Sequence, residues 1–327
     1  MSQNSASRTI VVNLIKVLIS GFLVYILLRR IGVSTLLTNI TQAERTFILL
    51  ALLCFVASNF LGSFQWYLLL KSRDIEISLL KVISYYHVGL FFNNFLIGYI
   101  GGDAFRVYDV HRSSGDTTSA ISTVFFDRFV GFFTMTSMAV LTSFYLASRK
   151  IMPNSTSLTL AIILVVWIAG LMVLFNENIA QKFAWIFKLL LPKVLHAKMR
   201  DVYYGINQFR HNKLLLVQIL LVSVGVQSLR ITTHYWTSRS VGVNAPVSYF
   251  FIFIPIVALA ASLPISLGGI GVREQSGVAL FAQIGLPSAS VVAFEFLAYI
   301  IGIVATLPGG LIFALRKEHK KPKINSE

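Results

Sequence analysis

Ile97-Gly98-Tyr99-Ile100-Gly101-Gly102-Asp103-Ala104-Phe105-Arg106 closes a long apolar stretch, and its like returns as Leu263-Pro264-Ile265-Ser266-Leu267-Gly268-Gly269-Ile270-Gly271-Val272-Arg273-Glu274. In each, a glycine pair precedes an arginine by four residues. An apolar run that ends in glycine and charge, with no basic loop after it, reads as a helix broken at membrane depth. The stretches 79–100 and 246–263 are therefore taken as arms of re-entrant hairpins, with full spans as the alternative.

Around these hairpins lie six apolar runs of about 17 residues or more, the length that a hydrocarbon core of roughly 30 Å demands. They fall at 10–28, 46–70, 120–147, 157–175, 214–237 and 289–315. The chain is 56% hydrophobic and 13% charged, with a mean hydropathy of +0.74, far above what a water-facing surface tolerates. The fold class is thus an all-α polytopic membrane protein with six spanning helices plus two re-entrant glycine-rich hairpins, or eight spans. The first run is long enough to stay as an anchor, and no segment is expected to be removed. The lone Cys54, inside an apolar run, reads as packing and leaves no partner for an internal disulfide.

A formal charge of +15 would suggest nucleic acid in a soluble protein. Here the basic residues sit in loops beside the apolar runs. With a cytoplasmic N-terminus and two hairpins, the inside loops (1–9, 71–81, 176–213, 316–327) carry sixteen Lys and Arg, and the outside loops (29–45, 148–156, 238–245) carry six. The positive-inside rule accounts for this asymmetry. It places the chain in the plasma (inner) membrane with both termini cytoplasmic, its basic loops against anionic headgroups, and it leaves nucleic acid out.

The two glycine pairs are 167 residues apart. The same shift carries 46–70 onto 213–237, 79–100 onto 246–267 and 120–147 onto 287–314, all apolar. It carries 10–28 onto 177–195, where lysines interrupt an aromatic run in the manner of a helix lying in the membrane interface. The single membrane domain 1–327 is therefore divided into halves 10–147 and 177–315, joined by helix 157–175. One span replaced by an interfacial helix makes this an inverted repeat.

Ionisable side chains inside a membrane cost on the order of 2.5–3.5 kcal/mol each, so they persist where they pair or face a cavity. Asp103 and Arg106, then Asp127 and Arg128, then Arg273 and Glu274, and finally Glu295 cluster around the hairpins. Asp127 shifted by 167 falls within one residue of Glu295. Gln227, Arg230 and His234 recur at helical spacing and share one face, turned to protein or water. Glycines let backbone approach a guest, and exposed amides at a helix start favour an anion. The substrate-binding set is accordingly Gly101, Gly102, Asp103, Arg106, Asp127, Arg128, Arg230, Gly268, Gly269, Arg273, Glu274 and Glu295, with phosphate as the guest.

Plainer readings stand beside this one. The glycines could serve close helix packing. Asp127 and Arg128 could form structural ion pairs with Arg106 or Asp103. His87, His111 and His234 read as hydrogen-bonding residues, since no paired histidine spacing marks a metal site. Asn93 and Asn94 read as satisfying hairpin backbone. No glycine loop with Lys-Ser/Thr suggests a nucleotide, and no cofactor, metal or catalytic residue is assigned.

The glycine stretches, together with Phe126-Asp127-Arg128-Phe129-Val130-Gly131 between them, resemble the transmembrane region of the lysylphosphatidylglycerol synthase/flippase family. The likeness covers nearly the whole chain. Two-part members of that family join a flippase region to a soluble aminoacyl-transferase domain. The resemblance is to the membrane part, so it implies lipid translocation and does not carry over lipid aminoacylation. The expected function is movement of an anionic phospholipid or polyprenyl-phosphate-linked lipid, with no enzymatic activity. The alternatives are a membrane-embedded transferase or phosphatase acting on a lipid-linked phosphate, and a non-transporting envelope scaffold for a soluble or membrane lipid-modifying enzyme.

Overall fold

The computed structural model describes residues 41–95, 100–148, 154–182, 193–263 and 269–316, with Ser34, Thr38 and Ser266 as single positions. The run 10–28, most of the interfacial segment 179–195, Gly268 and the basic tail after Arg316 lie outside the described residues. Helices account for nearly all that is described, and there is no strand among these residues.

Among the described residues four helices are long and apolar enough to cross a membrane: α1 (Arg45–Lys71), α4 (Thr117–Ser148), α7 (Lys213–Ser240) and α10 (Ser288–Leu315). At 1.5 Å per residue each is roughly 40–48 Å long. They coincide with four of the expected spans. The fifth run becomes α5 (Asn154–Phe175), and an amphipathic α6 (Lys193–Asn207) leads through a 3₁₀ turn at Gln208–His211 into α7. The chain is an all-α polytopic membrane protein.

Each glycine stretch separates two helices that fold back on one another. In the first half α2 (Leu79–Phe95) packs on α3 (Ile100–Ser114). In the second, α8 (Val247–Ser262) packs on α9 (Val272–Phe281), which passes through a 3₁₀ turn at Ala282–Ile284 toward α10. The local causes differ. Gly101 and Gly102 are in the first turn of α3, and a Cβ on Gly102 would overlap the Gly89 carbonyl oxygen of α2. Gly269 and Gly271 instead have φ of +77° and +83°, a turn that only glycine makes cheaply.

The helix order and neighbours of the two halves correspond. Moved by 167 residues, α1 covers α7, α2 covers α8 and α4 covers α10 to within a few residues. Within each half the first helix packs on the second and on the last. Across the halves α1 faces α7, α2 faces α10, and α4 faces α8. That exchange of partners is the pattern a two-fold relation produces.

Two apolar cores result. One gathers Trp66, Leu69, Val82, Phe126, Ile206 and Phe209 between α1, α2, α4 and α6. The other is aromatic, with the Phe250, Phe281 and Phe294 rings 5.0–5.8 Å apart where α8, α9 and α10 meet. On α10, Gly309 and Gly310 bring that helix against α2, since a Cβ on Gly309 would overlap the His87 carbonyl oxygen and one on Gly310 would reach Phe91 at 2.6 Å. Nearby, Arg316 at the end of α10 donates to both carboxylate oxygens of Asp109 on α3, at 2.7 and 2.8 Å, and lies over the Tyr85 ring of α2.

Candidate functional site

Where the halves meet, α1, α2, α4, α7, α8, α9 and α10 enclose a cavity of about 210 Å³, room for several waters. Its wall is apolar along α8, through Ile254, Val257 and Ala258, and over parts of the other helices, through Phe55, Phe132 and Val226; the polar groups are set into this apolar surface. Three arginines from three helices reach it: Arg128 of α4, Arg230 of α7 and Arg273 of α9. Asp127, His234, Gln65, Gln227, Asn93 and Asn94 complete the polar side.

The charges are arranged in layers. Behind the cavity wall, Arg106 is 1% exposed. Its guanidinium is 4.1 Å from the centre of the Trp66 ring and 4.7 Å from that of Tyr86. It donates to Asp127 at 2.8 Å and to Asp103 at 3.3 Å. Arg128 in turn grips both oxygens of Asp103, at 2.8 and 2.9 Å, and Gln65 donates to the remaining Asp127 oxygen at 2.8 Å. Gly89 is what lets Arg106 lie there, since a Cβ would sit 2.7 Å from Arg106 Cγ. This is an Arg–Asp–Arg–Asp network in which each charge has an opposite partner, the only economical way to bury four charges. Both aspartates are filled with donors.

Arg230 is different. Among the described residues its guanidinium meets only the Tyr86 hydroxyl, at 3.4 Å, and its Nε is buried with no partner. A cation facing a cavity with unmet donors is what a bound anion would complete. Arg273 lies over the Tyr299 ring at 5.3 Å. Its neighbour Glu274 turns away, accepting from the Gly271 amide at 2.7 Å to cap α9. Glu295 is fully buried on α10, one oxygen 3.1 Å from His234 Nδ1 and the other without a partner among the described residues.

Residues 13–310 match the family described as the lysylphosphatidylglycerol synthase TM region. The chain belongs to that family. Its similarity extends to two archaeal chains called UPF0104 membrane proteins. One, from Pyrococcus horikoshii, is 26% identical over 90% of this chain and 95% of its own length. The other, from Methanothermobacter thermautotrophicus, is 25% identical over 80% of this chain and 83% of its own.

For this member of the lysylphosphatidylglycerol synthase TM-region family, four of the twelve expected substrate residues line the cavity: Asp127, Arg128, Arg230 and Arg273. Asp103 and Arg106 stand behind it as the ion-pair network, the plainer reading given to that cluster. Gly102 packs α3 on α2, with Gly101 beside it in the same first turn, Gly269 and Glu274 shape the start of α9, and Glu295 sits beneath His234. Gln227, Arg230 and His234 all face the cavity, as their spacing requires. Asn93 does accept from the Gly102 amide at 2.9 Å, whereas Asn94 donates to Thr306 of α10 at 2.7 Å. Sequence reasoning misses Gln65, Tyr86, Tyr299 and Thr306 as lining residues. Tyr299 and Thr306 are single polar groups in apolar runs, Tyr86 sits within Ser84-Tyr85-Tyr86-His87, and only Gln65, an amide deep in α1, gives a signal that could have found it.

Proposed function

We propose that this chain is a membrane lipid translocase that moves an anionic phospholipid or a polyprenyl-phosphate-linked lipid across the plasma membrane. The cavity between the halves carries this reading: three arginines reach into a largely apolar space, and Arg230 has donors left over. Phosphate is the guest such donors fit, because guanidinium pairs with phosphate oxygens in a fixed planar geometry. Arg230 and Arg273 hold the headgroup, while the network of Arg106, Asp127, Asp103 and Arg128 holds the wall behind it. The acyl or prenyl tails stay in lipid.

In this reading the halves are an inverted repeat with both termini cytoplasmic, and the site opens alternately to each face by movement of one half against the other. Membership in the lysylphosphatidylglycerol synthase TM-region family supports lipid as the substrate class. The test is reconstitution in liposomes with headgroup-labelled phosphatidylglycerol or a polyprenyl-phosphate analogue. Movement of one label that falls about tenfold or more in Arg230→Ala and Arg273→Ala is the expected result. Folded protein that moves neither label would overturn the reading.

A further inference from the structure

Asp127 and Glu295 occupy corresponding places in the two halves, one residue out of register, yet their partners are chemically unlike. Asp127 faces Arg106 at 2.8 Å, and arginine keeps its charge at any pH a cell meets. Glu295 faces His234 at 3.1 Å, and histidine exchanges its proton near neutrality. One pair contains a permanent cation and the other a side chain whose chemistry allows proton exchange.

The surroundings decide what the second pair is for. The unpartnered Glu295 oxygen is buried, which is costly for an anion and less so for an acid. From α9, the capping carboxylate of Glu274 lies near enough to Glu295 for their charges to interact, Arg273 lines the same cavity as His234, and Gly277 is in contact with the Glu295 side chain, a Cβ there sitting 3.4 Å from Glu295 Cγ. From α7, Arg230 stands one turn before His234 and shares its cavity. From α4, Asp127 and Arg128 line the same space, and Tyr86 of α2 and Tyr299 of α10 close it. On α1 and α8 the lining is Phe55, Gln65 and apolar residues, none of them charged.

We propose that His234 and Glu295 form a proton-binding site that takes up a proton as an anionic headgroup enters the cavity. The coupling rests on the headgroup reading above; the proton site does not. With the cavity empty, neutral His234 donates from Nδ1 to the Glu295 carboxylate, and the pair's negative charge offsets Arg230 and Arg273. An incoming anion takes over those guanidiniums. The pair then accepts a proton from water and becomes neutral, and it returns that proton when the headgroup leaves. His234 is the member that touches the cavity, so the proton passes through its ring to reach the buried carboxylate.

The full chain in lipid nanodiscs serves for two measurements. Infrared difference spectra between about pH 9 and about pH 5 should show a protonated-carboxyl band that Glu295→Gln removes and His234→Asn shifts. Calorimetry near neutral pH in two buffers of different ionisation enthalpy counts protons on binding of dihexanoyl phosphatidylglycerol, with inorganic phosphate as a second arm. Wild type should take up about a proton per lipid bound, and both variants, checked for a single sharp elution peak, should lose the buffer dependence. Equal affinity for inorganic phosphate would identify a free anion as the source of the headgroup chemistry, with the same proton count expected. Binding with identical heats in both buffers would overturn the coupling and leave the translocase reading standing. Failure of both probes to bind would overturn the coupling and the headgroup reading together. A spectrum unchanged by Glu295→Gln would overturn the proton site itself.

Discussion

Arg106 and Arg230 carry the same side chain and should behave in opposite ways when it is removed. Arg106 is buried between two rings and two aspartates, so Arg106→Met leaves Asp127 charged and buried. A loss of about 3–5 kcal/mol is expected, read as a large fall in Tm in detergent. Asp127→Asn removes the nearer of the two counter-charges of Arg106 and should also lower Tm. Arg230→Ala removes a cation with one long hydrogen bond and an unmet Nε, so Tm should hold while headgroup binding is lost. A fall in Tm for Arg230→Ala as large as for Arg106→Met would contradict this division. Outside the spanning helices, Asp116 caps α4 by accepting from the Ser119 amide at 2.9 Å. Burial pushes its carboxyl up, but hydrogen bonds from Ser119 and Thr118 and the Arg73 charge outweigh that and hold it below the usual carboxylate range. Its contribution is therefore present above the ordinary carboxylate value and lost as pH falls below about 4. Asp116→Ala should cost about 1 kcal/mol at neutral pH and nothing more at acid pH, measured by thermal melts across pH.

At the scale of helices, the close approaches are made by glycine and should tolerate no methyl group. Gly102→Ala on α3 and Gly309→Ala on α10 would each push a Cβ into a backbone oxygen of α2. About 1–3 kcal/mol each is the usual cost of overpacking, and Tm is the readout. A contrast is Gly170→Ala, on α5 with open space around it, which should change Tm little. Much of this level was legible in the sequence. Apolar length alone located α1, α4, α7 and α10, because lipid demands a minimum helix length whatever the packing. The glycine pairs marked both turnings of the chain. What they did at each was hidden, because a glycine in a helical first turn and one at positive φ are the same letter. The partners of the buried charges were hidden for a related reason: spacing along one helix orders Gln227, Arg230 and His234 on a face, but says nothing about which helix brings Trp66 or Tyr86 to Arg106.

For the whole molecule, the proposed inverted arrangement makes a prediction about sides. Ser114, at the end of the first hairpin, and Asn244, before the second, are both exposed. In a Cys54→Ala background, Ser114→Cys should react with an impermeant maleimide from the cytoplasmic face and Asn244→Cys from the opposite face, assayed in oriented vesicles. Labelling of both from one side would rule out the inverted arrangement. The shift of 167 residues could be read from the glycine motifs because they recur with their arginines. The departures from symmetry could not: an arginine stands beside Asp127 and a histidine beside Glu295.

The glycines at the end of α10 have a mechanical meaning as well. Where Gly309 rests on the His87 carbonyl, peptide groups touch with no side chain between them, so that seam has no padding to compress or reshuffle. At the corresponding seam the shift from Gly309 and Gly310 leads to Thr142 and Ser143 of α4, and α8 meets that helix through side chains. One joint is therefore stiff, stapled further by Arg316 and Asp109, and the other is cushioned. In the translocase reading proposed above, the bending would fall at the cushioned joint, with the stiff one as the frame against which it is done.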